Sequence, residues 1–221
     1  AFGENFRGHG TGFFIAPGLV LTNAHVAHPN ARLFVLNKAF PRPLQAEIVA
    51  STRDSSGEPE PLTKDFALLR VQGAPAVQPL GLTTVVEKLQ DVVAAGFPAQ
   101  IVEVDQGMSA LLQGQQGPVP DLVLTTGVIS AIQHAPTGLV VMPHTASVSP
   151  GNSGGPLVDR CGRVVGVNTF VRRAEGAADR VNYAQKTEEA LAFLQSSGAV
   201  TVTPLTGECV PQAPSAQALP A

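Results

Sequence analysis

Short apolar runs broken by turn residues recur along this whole chain, and no other feature constrains its fold as much. Gly12-Phe13-Phe14-Ile15-Ala16 stops at Pro17-Gly18, and Leu19-Val20-Leu21-Thr22 follows at once, the layout of a hairpin with a tight turn. Further strands are predicted over 32–36, 44–50, 66–71, 91–96, 122–132, 138–142, 156–159, 164–170 and 180–184. With 22 Gly, 19 Pro and no Trp in 221 residues, the composition suits many short strands better than a helical bundle. Strands this short and this closely spaced point to an all-β sandwich or barrel. A single helix is predicted, near the C-terminus. Thr187 is placed to cap it, Glu188 and Glu189 suit the positive end of its dipole, Leu191 and Leu194 share a face, and Gly198 terminates it. Segments 54–64 and 107–121 read as surface loops, and 72–86 as the connection between two halves.

Bulk properties narrow the class of function. Apolar residues make up 44 % and charged residues 14 %, as in a globular chain. The formal net charge is −3 without any Lys/Arg cluster, which argues against nucleic-acid binding. No apolar run has the length of a membrane span. The sequence opens at Ala1 without a charged leader, so any signal segment is expected to lie outside it. Two cysteines, Cys161 and Cys209, belong to no metal-ligand spacing. Two lone cysteines able to pair suggest a disulfide and an oxidising compartment, with Cys209 anchoring a Pro-rich tail.

The chemistry begins at Gly151-Asn152-Ser153-Gly154-Gly155-Pro156. A serine hydroxyl is a weak nucleophile that needs an adjacent base, and flanking glycines allow a tight turn that aims N–H groups at one point. As a bare Gly-rich turn the motif is common, and it also fits the nucleophile elbow of α/β-hydrolases. Residue order separates these readings. The elbow needs a histidine after the serine, yet His9, His25, His28, His134 and His144 all precede Ser153. The order Asp–His–Ser fails because the first Asp in the chain is Asp54. His–Asp–Ser fits best. Among the histidines, His25 directly follows an apolar strand, where a rigid scaffold can aim it. His28 reads as a loop residue, His9 lies in a Gly-rich segment, and His144 is the serious competitor. Five acids lie between base and nucleophile: Asp54, Asp65, Asp91, Asp105 and Asp121. Asp65 stands at the mouth of the apolar strand 66–71, a better site for a buried orienting carboxylate than a polar loop.

Together, Thr22-Asn23-Ala24-His25-Val26, Lys64-Asp65-Phe66-Ala67-Leu68-Leu69 and Gly151-Asn152-Ser153-Gly154-Gly155-Pro156-Leu157 resemble the chymotrypsin-fold serine peptidases, and among them the bacterial branch with the HtrA/Deg and V8-like enzymes. Gly10-Thr11-Gly12-Phe13, Ala95-Gly96-Phe97-Pro98, Thr126-Gly127-Val128-Ile129-Ser130 and Gly166-Val167-Asn168-Thr169 extend the resemblance over about residues 8 to 185. It implies two packed six-stranded antiparallel β-barrels, an N-terminal barrel over 1–80 and a C-terminal barrel with the helix over 81–200, followed by a tail over 201–221. It implies a triad of His25, Asp65 and Ser153, an oxyanion hole from the N–H groups of Gly151 and Ser153, peptide substrates, and no metal or cofactor. Asn152 stands where animal members use an Asp to bind a freed N-terminus, so that activation switch is expected to be missing. About twenty residues follow the helix, so no PDZ domain is expected in this chain. By similarity, Ser147, Thr169, Phe170 and Val171 wall the pocket for the residue before the cut. With Ser147 where trypsin-like enzymes hold an acid, and Val171 narrowing the site, small aliphatic residues are the expected preference. The expected location is extracytoplasmic, and the oligomeric state is left open. A second reading keeps the same fold as a peptide-binding or scaffold domain without catalysis, although no triad residue is lost.

Overall fold

The computed structural model describes residues 8–53, 62–102, 104–112, 117–173 and 180–210. Its strands form two antiparallel sheets. The first holds β1 (Gly12–Ala16), β2 (Leu19–Thr22), β3 (Leu33–Val35), β4 (Leu44–Ser51) and β5 (Ala67–Val71), in the order β1-β2-β5-β4-β3. The second holds β6 (Asp91–Gly96), β7 (Val123–Val128), β8 (Gln133–His134), β9 (Val140–His144), β10 (Pro156–Val158), β11 (Val164–Arg173) and β12 (Arg180–Lys186), in the order β7-β6-β10-β11-β12-β9-β8. Both are curled half-barrels in an all-β fold closed by a C-terminal helix. Among the described residues the strands divide five and seven where the resemblance implied six and six.

The hairpin β1–β2 shows why its strands are apolar at nearly every position. Phe13, Ile15 and Leu21 face a core shared with Phe66, Leu68, Val164 and Val167, whereas Phe14 and Val20 face a second core with Phe40, Leu69 and Val71. A strand buried on both faces carries no polar alternation. A third core, with Val92, Ile129, Met142, Leu157 and Val165, fills the second sheet. The helix α3 (Thr187–Ser197) is the link between halves. Its Ala190, Phe193 and Leu194 join the first of these cores, and Phe193 stacks on Phe66 of the first half with ring centroids 5.8 Å apart.

Two local readings need correction. Thr187 does not cap α3: Lys186 holds the cap position, and the Thr187 hydroxyl donates to the Val164 carbonyl at 3.0 Å. A buried strand carbonyl competed successfully for that hydroxyl. Gly198 does end the helix, in the left-handed conformation at φ 64°. Helix α3 also has two predecessors, α1 (Ala99–Val102) and α2 (Gln106–Leu112), the second inside the stretch read as a loop. Its Gly and Gln hide the signal, but Asp105 Oδ1 accepts the Met108 N–H, and Met108 packs with Val102, Phe97 and Leu36. The expected 54–64 loop falls outside the described residues from 54 to 61.

Cys161 and Cys209 form a disulfide. The segment leading to Cys209 is a strap over the inter-sheet connection. Leu205 N–H donates to the Leu82 carbonyl at 2.7 Å, and the Thr83 hydroxyl to the Leu205 carbonyl at 2.8 Å. Among the described residues, no helix is long and apolar enough to cross a membrane.

Candidate active site

Strand register brings His25 to Asp65. β2 and β5 pair antiparallel with Thr22 opposite Ala67, so the residues just past Thr22 meet those just before Ala67. The chain then turns tightly, with Val26 and Ala27 N–H groups both donating to the Asn23 carbonyl. Asn23, fully buried, donates its side-chain amide to the Asp65 carbonyl at 2.6 Å and locks the turn to β5. His25 Nδ1 lies 2.5 Å from Asp65 Oδ2, and the His25 backbone N–H donates to Asp65 Oδ1 at 3.0 Å. The Thr169 hydroxyl also donates to Oδ2, at 3.3 Å, and Arg53 Nε sits 3.7 Å from Oδ1. Asp65 is buried, which by itself would raise its pKa. The hydrogen bonds and charge of His25 outweigh that, with help from Arg53, and hold the carboxyl below its ordinary value. A carboxylate facing Nδ1 stabilises the tautomer with its proton there, and leaves Nε2 as the acceptor.

Ser153 arrives from the second sheet, on the turn before β10. β10 pairs with β11 so that Pro156 faces Val167, and the turn therefore runs back alongside Thr169. The Ser153 hydroxyl donates to the Thr169 carbonyl at 3.3 Å. Thr169 thus touches Ser153 through its backbone and Asp65 through its side chain. Around Ser153 the backbone N–H groups divide into two sets. Asn152 donates to Ser149, Gly154 to Asn168, and Gly155 to Asn152. Among the described residues, the N–H groups of Gly151 and Ser153 make no internal hydrogen bond. Gly151 has φ 99°, and a Cβ there would fall 2.3 Å from the Phe97 carbonyl oxygen, so only glycine fits. Asn152 is buried and accepts the Ser149 N–H at 3.1 Å, so its side chain braces its own loop.

Of the other candidates, His9 hydrogen-bonds through Nε2 to the Phe97 carbonyl at 3.0 Å beside Gly151, and the rest meet different partners. His28 is exposed and accepts the Asn30 N–H. His144 is buried at 3 % exposure at the end of β9, and neither of its ring nitrogens has a well-formed hydrogen bond among the described residues. Burial pushes its pKa down to about 4, against the pull of the Ala146 backbone and the Asn168 amide. Ser147 is exposed, and its carbonyl accepts the Thr125 hydroxyl at 2.7 Å. The side chains of Phe170 and Val171 lie outside those described, but their backbones pair with Tyr183 and Asn182. Sequence reasoning missed Asn23, Gln185 and Asn168 as supports. Gln185 Oε1 accepts the Asp65 N–H at 3.2 Å, while Asn168 donates its amide to the carbonyls of Gly155 and Pro156. A polar residue embedded in an apolar strand was the available signal.

The sequence profile of the family described as trypsin-like peptidase domain matches residues 10–167. The mitochondrial serine protease HTRA2 of Bos taurus is 33 % identical over 165 residues, covering 73 % of this chain and 31 % of that protein. A probable periplasmic serine endoprotease, DegP-like, of Pseudomonas fluorescens is 29 % identical over 180 residues, covering 79 % of this chain and 32 % of that protein. This chain therefore spans about a third of the length of these relatives. Among solved structures, the Rv3671c protease in its inactive form superposes with a TM-score of 0.62 at 26 % identity, covering 86 % of this chain and 84 % of the other.

Proposed function

This chain belongs to the trypsin-like peptidase family, and we propose that it is a serine endopeptidase in which Ser153 attacks the scissile carbonyl while His25 acts as base and then as acid. The 2.5 Å contact of His25 with Asp65, joined to the Ser153 hydroxyl through Thr169, carries this reading. Asp65 orients the imidazole and stabilises the imidazolium. The two free N–H groups of Gly151 and Ser153 supply the oxyanion hole, where donors fixed in advance stabilise charge as it develops. The hydroxyl first turns about χ1 from the Thr169 carbonyl toward His25, and the acyl-enzyme is then hydrolysed by water. Barrels over 1–80 and 81–200, with a tail over 201–221, belong to the same proposal.

For the residue before the cut we propose a small aliphatic side chain. Support comes from Ser147 in place of an acid, from Asn182 donating its amide to the Ala146 carbonyl at 3.0 Å, and from the branched Val171 in the sequence. An extracytoplasmic location is supported by the disulfide and by the periplasmic relative, while the HTRA2 relative shows that a mitochondrial member also exists. The alternative of a silent peptide-binding domain draws on the resting Ser153 hydroxyl, which faces Thr169 and not a base. Cleavage of a peptide library by the wild type and by Ser153→Ala separates the two. Cuts after Ala and Val that vanish in Ser153→Ala are expected. Equal cutting by both proteins overturns the catalytic reading, and equal rates after Arg overturn the preference.

A further inference from the structure

We infer that Thr11 is a positioning residue for the nucleophile turn, its hydroxyl holding the Gly151–Asn152 peptide that lies between the free N–H groups of Gly151 and Ser153, so that both stay aimed at the substrate oxyanion. The inference rests on the catalytic reading above. Thr11 is 3 % exposed, and each of its polar atoms has a different partner. Its N–H donates to the Ser153 carbonyl at 2.9 Å, and its carbonyl accepts the Thr22 hydroxyl at 2.6 Å. Its own hydroxyl donates to the Gly151 carbonyl at 2.7 Å and accepts the Phe97 N–H at 3.0 Å. One side chain and its backbone therefore tie together the strand leading to His25, the end of β6 and both ends of segment 151–153.

The consequence follows from peptide planarity. In a trans peptide the carbonyl and the N–H point to opposite sides, and the described chain has no cis bond. The Gly151–Asn152 unit is held on one side by Thr11 and on the other by the Asn152 N–H, which donates to Ser149. The Pro150–Gly151 unit is held by its carbonyl, which accepts the Ala99 N–H at 2.8 Å, so the Gly151 N–H points away from Ala99. A glycine is the residue most easily turned into another backbone conformation. Without the Thr11 hydroxyl, the buried Gly151 carbonyl and the part-buried Phe97 N–H would both be left unpaired, and such groups drive local rearrangement. A rotation of the Gly151–Asn152 unit that relieves this carbonyl changes ψ at Gly151 and φ at Asn152, the two angles that set the Gly151 and Ser153 N–H groups relative to each other. Gly154 shows how closely this junction is packed, since a Cβ there would meet the Thr11 carbonyl at 2.3 Å and the Thr22 hydroxyl at 2.2 Å.

The test compares Thr11→Val, which keeps the shape, with Thr11→Ser, which keeps the hydroxyl. The readouts are kcat, KM and the affinity of a peptide aldehyde, whose adduct places an oxygen where the oxyanion forms. Thr11→Val is expected to lower kcat roughly tenfold or more and to weaken aldehyde binding in parallel, with KM little changed. Thr11→Ser is expected to recover most of both. If Thr11→Val does not fold, Thr11→Ala against Thr11→Ser carries the same contrast with the side chain shortened in both. Wild-type kcat and aldehyde affinity in the hydroxyl-free variant overturn the inference, as does a Thr11→Ser variant no better than it. A Ser153→Ala protein that cleaves normally sinks the catalytic reading instead, so the two failures are told apart.

Discussion

Two histidines stand at strand ends in the two halves of this molecule, and their surroundings differ in every respect that matters. His25 follows β2, has its side chain one-third exposed, and meets a carboxylate. His144 ends β9, is buried, and among the described residues is influenced by neutral neighbours, Ala146 and Asn168. The first faces a carboxylate at 2.5 Å, as the proposed base requires. The second has none, so burial keeps it neutral. On the proposed mechanism, an imidazole serves as base through its carboxylate and its access to substrate, not through proximity in sequence. His144 is nine residues from Ser153 in the chain and His25 is 128 away.

The comparison can be broken or sharpened by substitution. The largest effect belongs to the carboxylate: Asp65→Asn should lower kcat by about 10⁴-fold, since the amide no longer fixes the tautomer. A steady-state assay beside a melting curve checks that the loss is catalytic and not unfolding. Breaking the Cys161–Cys209 bond should come next. Its loop of 48 residues predicts a stability loss of about 4 kcal/mol in the chain-entropy picture, read from denaturant midpoints. Cys161 sits in the turn after β10, at the opposite end of that strand from Ser153, so kcat of the remaining folded protein should hold.

The third effect sets the two sites against each other in pH. His144 has a folded pKa of about 4, below its unfolded value of about 6.5. The unfolded chain therefore takes up a proton that the fold refuses. Stability falls as pH drops from 6.5 toward 4, by roughly 2–3 kcal/mol at pH 4.5. His144→Leu should flatten that slope and leave kcat near wild type, as urea titrations at pH 7 and 4.5 would reveal. Asp65 works in a lower window. Its folded pKa lies below the ordinary 3.8, so its contribution is present above that value and lost as pH falls beneath it. The smallest effect is expected at Thr169. Thr169→Val removes one hydrogen bond of 3.3 Å to Asp65, and kcat should fall by less than tenfold, or about 1 kcal/mol.

Much of this was legible in the residues. Strand β6 matches its predicted limits, and the β1–β2 hairpin follows its Pro17-Gly18 turn. Helix α2 was hidden because its stabilisation comes from packing on Phe97 and on Leu36, the latter remote in sequence, and not from its own propensity. At the site, residue order and the strand-end position pointed to His25 and Ser153 as candidates, but they left five acids. Only the Thr22–Ala67 register shows why Asp65 meets His25. Thr11 was visible as part of a Gly-Thr-Gly motif, yet nothing in one dimension indicates that its hydroxyl crosses 140 residues to Gly151. Buried polar pairing is a tertiary property, and a single sequence records the polar residue without its partner.

The central claim, that His25 activates Ser153, meets its most direct test in labelling by a fluorophosphonate probe followed by peptide mass mapping. Wild type should carry the label on Ser153, and His25→Ala should label at least about 10³-fold more slowly, whereas His144→Leu should label normally. Labelling of His25→Ala at the wild-type rate, or a folded wild type that takes no label, would contradict the account.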